Sequence, residues 1–168
     1  MTPQAKSKPT KSSQLFGLEK FIFWQRWLLI VGLILVGMGL YMIFLRGTVC
    51  YILMDNLVNP VFWASTIAPA NVTEFQGYVY GVWGATVAIW GTFVAFIAHY
   101  PFRQREKWAR DCIFVTTLLW YLSTAFVSLQ VNYVLNVVAN TVVSILLLLP
   151  LFFTRKDFSI GGVVKLQA

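Results

Sequence analysis

Charge is scarce in this chain. Asp, Glu, Lys and Arg together make up 11% of its residues, against roughly 25% in an ordinary soluble domain. Histidine occurs once, at position 99, and cysteine twice, at Cys50 and Cys112. Each shortage excludes a class of chemistry. One histidine and two separated cysteines cannot assemble a multi-residue zinc site. There is no CxxC pair, so thiol–disulfide relay chemistry lacks its usual basis. No nucleophile–base pair, paired carboxylates or glycine-rich phosphate loop occurs, and the chain does not read as an enzyme. None of its long apolar runs holds an acid or base well inside, where a pump, an ion-coupled transporter or a voltage sensor would place one. Arg46 and Asp111 fall at the edges of such runs.

What the sequence has instead is apolar bulk. Hydrophobic residues make up 58% of the 168. A soluble domain of this size lacks the interior volume to bury that much apolar surface. A bilayer removes the difficulty, because lipid faces the side chains directly. Four apolar runs approach the roughly 20 residues that a membrane core requires. They cover about residues 27–45, 78–98, 112–129 and 133–153. The expected fold is an all-α integral membrane four-helix bundle. Residues 1–26 form a polar, basic N-terminal tail and interfacial lead-in, and residues 154–168 a C-terminal tail. The tail to Ser13 should be disordered alone, and the stretch FGLEKFIFW (16–24) reads as the lead-in.

The basic residues give the orientation. Lys6, Lys8, Lys11, Lys20 and Arg26 precede the first run. Arg103, Arg105, Lys107 and Arg110 lie between the second and third, and Arg155, Lys156 and Lys165 follow the last. With both termini in the cytoplasm, every basic residue but Arg46 falls inside, as the positive-inside rule requires. The expected location is a bacterial inner membrane. The net charge of +7 could also suit nucleic acid, but that needs a folded, water-facing basic surface. Short loops and tails offer none. Cys50 and Cys112 fall on opposite sides of the membrane, so no disulfide between them is expected.

The connection 49–76 is long and mostly apolar. Asn59-Pro60 and Ala68-Pro69 should break any long helix there. A short amphipathic helix lying in the outer interface is expected. The tripeptide Asn71-Val72-Thr73 fits a glycosylation acceptor, relevant only in a eukaryote.

Two faces carry specific packing. Gly77, Gly81, Gly84, Ala88, Gly91, Ala95 and Ala98 recur at alternating spacings of four and three. Such a small-residue stripe lets a neighbouring backbone approach closely. It suits either packing inside the bundle or docking of another subunit. Asn132, Asn136, Asn140 and Ser144, spaced by four, form an amide face. Amides are costly in hydrocarbon without partners. Thr117, Thr124 and Ser128 on the third run are the expected partners. This face reads as structural glue or as a polar patch in a ligand cavity.

His99 could ligate haem or chlorophyll alone, though a lone histidine before Tyr-Pro at a span end also suits an interfacial role. Arg103, Arg105, Lys107 and Arg110 suit lipid headgroups. Glu106 and Arg110 are spaced for an ion pair.

A short N-terminal tail, a long semi-apolar first connection, a Gly/Ala-rich second span and tight later turns run from about Trp27 to Phe153. This layout resembles the DoxX-like small four-helix bacterial membrane proteins. The resemblance is one of architecture and implies no functional residue. Two functions fit these features. One is a non-catalytic accessory subunit of a larger membrane complex, such as an energy-transducing one. The other is a stand-alone bundle holding a lipid, quinone or other apolar ligand between the second and fourth spans, with residues 49–76 as a lid.

Overall fold

The computed structural model describes residues 11–158, with backbone alone at residues 11–16 and Cys50. The polar tail before residue 11, including Lys6 and Lys8, and residues 159–168, including Lys165, lie outside the described residues.

Every described element is helical. In order they are α1 (Lys11–Phe44), α2 (Val49–Trp63), α3 (Ala70–Ile97), a π turn (Ala98–Phe102), α4 (Lys107–Gln130) and α5 (Val134–Phe153). Gly17–Phe44, Ala70–Phe102, Lys107–Gln130 and Val134–Phe153 are long and apolar enough to cross a membrane. The protein is a multi-pass helical membrane protein. Its first two spanning helices run further than the apolar runs that mark them. The lead-in 16–24 is continuous with α1, whose 34 residues extend roughly 51 Å at 1.5 Å each, well beyond a ~30 Å hydrocarbon core. At its far end Gly47 takes a left-handed conformation, φ 84°, which turns the chain into α2.

The prolines behave differently from one another. Pro69 immediately precedes α3, where a missing N–H costs nothing. Pro60 does not end a helix, as its dipeptide suggested; it sits inside α2, which continues to Trp63. Pro101 lies in the π turn, and Pro150 lies inside α5. A proline cannot donate to the carbonyl four residues back. At Pro150 that carbonyl belongs to Leu146, and the Trp27 indole N–H donates to it at 3.1 Å. At the π turn the Gln25 side-chain amide donates to the Ala98 carbonyl at 3.0 Å. Trp27 of α1 thus completes the helix that Pro150 interrupts, and Gln25 ties α1 to the π turn.

Helices α1 and α3 form the tightest pair. A β-carbon on Gly32 would meet the Ala95 amide nitrogen at 2.8 Å and the Gly91 carbonyl at 3.0 Å. One on Gly91 would meet the Gly32 carbonyl at 2.7 Å. Gly39 and Gly84 stand in the same relation one level further along. The two backbones therefore touch directly, which in lipid replaces the absent hydrophobic drive with dispersion contact. Helices α4 and α5 form a second, antiparallel pair joined by a turn in which Asn132 adopts φ 55°. Asparagine tolerates that conformation better than most residues. At the end where α1 starts and α5 finishes, Phe21 stacks on Phe102 at 5.9 Å and meets the edge of Phe158 at 6.0 Å. Arg105 lies 4.8 Å over the Phe21 ring, and Arg110 lies 5.6 Å over that of Phe158.

Candidate functional site

The small-residue stripe divides into three parts. Gly84, Ala88, Gly91, Ala95 and Ala98 are buried, and the first four of them abut Gly32 or Gly39 on α1 or their neighbours. Gly81 has open space where a β-carbon would sit. Gly77 carries the Arg46 guanidinium flat against its backbone. From Gly84 onward the stripe is thus occupied by the first span of the same chain.

The amide face also divides. Asn132 lies in the turn ahead of α5, exposed, and not on the helix face with the others. Asn136 donates to the Ser128 hydroxyl at 2.8 Å, joining the ends of α4 and α5. Asn140 and Ser144 are buried. Thr124 turns back onto its own helix, bonding the Trp120 carbonyl at 2.9 Å. The hydroxyls of Thr117 and Ser144 are buried with no partner among the described residues. A further cross-link, Thr141 to the Tyr121 hydroxyl at 3.1 Å, escaped the four-residue spacing because tyrosine reaches from a turn away.

His99 is exposed at the π turn, its ring edge-on to Tyr100 at 4.6 Å. Among the described residues no three His, Cys, Asp or Glu side chains gather as a metal site would. Arg103 and Lys107 are exposed around the same turn. Arg110 pairs with its chain neighbour Asp111, Nη2 to Oδ1 at 2.6 Å.

That pair opens onto a groove of about 550 Å³ between α4 and α5, lined by Arg110, Asp111, Phe114, Leu148, Leu151, Phe152 and Arg155. Its position follows from register. The antiparallel pair places the start of α4 beside the end of α5, so that charged residues flank both sides of an apolar trough. Two arginines against one aspartate leave the site net positive. Its volume falls in the range of roughly 300–1,000 Å³ common to small-molecule sites.

A second, smaller cavity of about 140 Å³ lies at the opposite end, where α1 finishes, α2 runs and α3 begins. Its lining includes Arg46, Tyr51, Asp55, Thr73 and Gln76. The Arg46 guanidinium donates to the Thr73 carbonyl at 2.8 Å. The Gln76 amide donates to Asn59 Oδ1 at 2.8 Å and to the Tyr80 hydroxyl at 3.1 Å. The Tyr80 hydroxyl in turn faces the Asp55 carboxylate. Two atoms remain buried without a partner among the described residues, the Tyr51 hydroxyl and Asp55 Oδ1. Burial pushes the Asp55 pKa above its ordinary value, against the opposing pull of the Tyr80 hydroxyl and the Arg46 charge. Burial likewise raises that of Tyr51. Nothing in the sequence spacing marked this cluster. Its members come from three elements.

Set against family models, curated proteins and solved structures, the chain matches none.

Proposed function

We propose that the chain is a non-catalytic membrane bundle that holds an anionic lipid, with both termini in the cytoplasm of a bacterium. The groove between α4 and α5 carries this reading. Its floor is Phe114, Leu148, Leu151 and Phe152, and its charged lining is Arg110, Asp111 and Arg155. An acyl chain suits the trough, and a phosphate suits the arginines. The groove joins the third and fourth spans, whereas sequence reasoning placed a ligand between the second and fourth. Arg103, Arg105 and Lys107 gather at the same end, so the local field favours anionic headgroups.

Native mass spectrometry of the purified chain with matched lipids tests it. Phosphatidylglycerol should be retained over phosphatidylcholine. Replacing Arg110 and Arg155 by alanine should remove about fivefold each, at ~1 kcal/mol per basic residue. Equal retention of the two lipids by the unaltered protein would sink the reading.

The second reading is an accessory subunit of a larger membrane assembly. Helix α4 favours it, since only 17% of its most apolar stretch is buried against 39% in α3. Purification in mild detergent as a lone, monodisperse monomer would count against it.

A further inference from the structure

We infer that the cavity at the end of the bundle away from the basic turn is a binding site for a primary ammonium zwitterion, the head chemistry of an ethanolamine phospholipid. The cavity is built rather than incidental. Tyr51 is 5% exposed, it lines the cavity, and its hydroxyl has no partner among the described residues. Asp55 Oδ1, four residues along the same helix, is in the same condition. Buried polar groups are nearly always paired in folded proteins, so two orphans in one cavity point to a ligand that supplies hydrogen bonds.

The chemistry of that ligand follows from the lining. A carboxylate accepts only, and a phenol can accept or donate. A group offering several N–H bonds to both is a primary ammonium. Arg46, on the same lining, offers a cation to an anionic group; its Nη2 already holds the Thr73 carbonyl, which fixes the guanidinium in place over Gly77. A cation-binding carboxylate and an anion-binding guanidinium in one cavity call for both charges on one molecule. The volume of about 140 Å³ is that of four or five waters at ~30 Å³ each, enough for a short aminoalkyl group and too small for a large solute. A quaternary ammonium is excluded on two grounds. It has no N–H for Asp55 Oδ1, and its three methyl groups add bulk. Gln76 bridges Asn59 and Tyr80 and so holds the walls in place.

This site is independent of the groove between α4 and α5, and the test separates them. The full chain, delipidated in detergent, is titrated in native mass spectrometry with phosphatidylethanolamine, phosphatidylcholine and phosphatidylglycerol of matched acyl chains. The unaltered protein should retain phosphatidylethanolamine over phosphatidylcholine. Asp55→Asn should reduce that preference about tenfold, as loss of a hydrogen bond to a charged group does. Tyr51→Phe, which removes one oxygen and leaves the packing intact, should reduce it in the same direction. Neither substitution should change retention of phosphatidylglycerol, which also shows that the variants fold. Competition by soluble glycerophosphoethanolamine would assign the site to the free head group; its failure to compete would assign it to the whole lipid. Equal retention of the ethanolamine and choline lipids, or an unchanged preference in Asp55→Asn, would overturn the inference and leave the cavity to water.

Discussion

Trp27 donates its indole N–H to the carbonyl of Leu146, the one group in α5 that Pro150 leaves without a helical partner. The donor and the proline that creates the need for it are separated by more than one hundred residues of sequence. Trp27→Phe should therefore cost about 1–3 kcal/mol, the penalty of an unsatisfied buried group. Pro150→Ala restores a backbone N–H at that point. The double variant should recover much of the loss, and a double-mutant cycle in detergent unfolding measures it. Simple additivity would show that the indole bond is not compensating for the proline.

Gln25 ties α1 to the π turn by a side-chain bond of its own. Gln25→Leu keeps the volume of the side chain and removes its amide from the Ala98 carbonyl. A loss of about 1–2 kcal/mol is expected in unfolding. Hydrogen exchange should rise across 98–106 before it rises elsewhere.

The Gly39–Gly84 contact sets a sharper threshold. A β-carbon on Gly84 would lie 2.7 Å from the Gly39 carbonyl oxygen, with backbone rather than a flexible side chain in the way. Gly84→Ala should cost about 1–3 kcal/mol through overpacking, and Gly84→Leu should prevent folding. Gly81→Ala, three residues away with nothing within 4 Å, should be close to neutral. Thermal unfolding followed by circular dichroism distinguishes the two.

Asp55 gives a pH dependence of known sign. Its pKa is raised in the folded chain above the ordinary 3.8, so the folded state binds more protons than the unfolded one just above that value. This contribution to stability is complete below the ordinary pKa and is lost as pH rises through the raised one. The charged and titratable groups facing Asp55 are Arg46, Tyr51 and Tyr80. Asp55→Asn should flatten the slope of stability against pH in that window. Ammonium binding needs the ionised carboxylate, so the ethanolamine preference should weaken on acidification through the same window.

Much of the architecture was legible because lipid simplifies the code. A run of about 20 apolar residues has few alternatives to a spanning helix, and the four-and-three spacing from Gly84 to Ala98 marked a real close contact. The partner of that contact was not legible. Gly32 and Gly39 on α1 are also of a kind that allows close approach in a membrane, but nothing in the spacing says that the first and second spans meet there. Asn132 misled because a four-residue spacing does not show where a helix begins. The Asp55 cluster was hidden for a different reason. Its residues lie in a connection that reads as a short interfacial helix, and only the path of α2 across the starts and ends of its neighbours makes them a cavity.

The placement of Gln25 and Trp27 has a consequence for synthesis. Both lie on α1, which leaves the ribosome before α3 and α5, while the carbonyls they bond belong to residues 98 and 146. Each acceptor therefore enters the membrane after its donor is already there. A chain made in the reverse order would leave the Leu146 carbonyl without its donor while it waited.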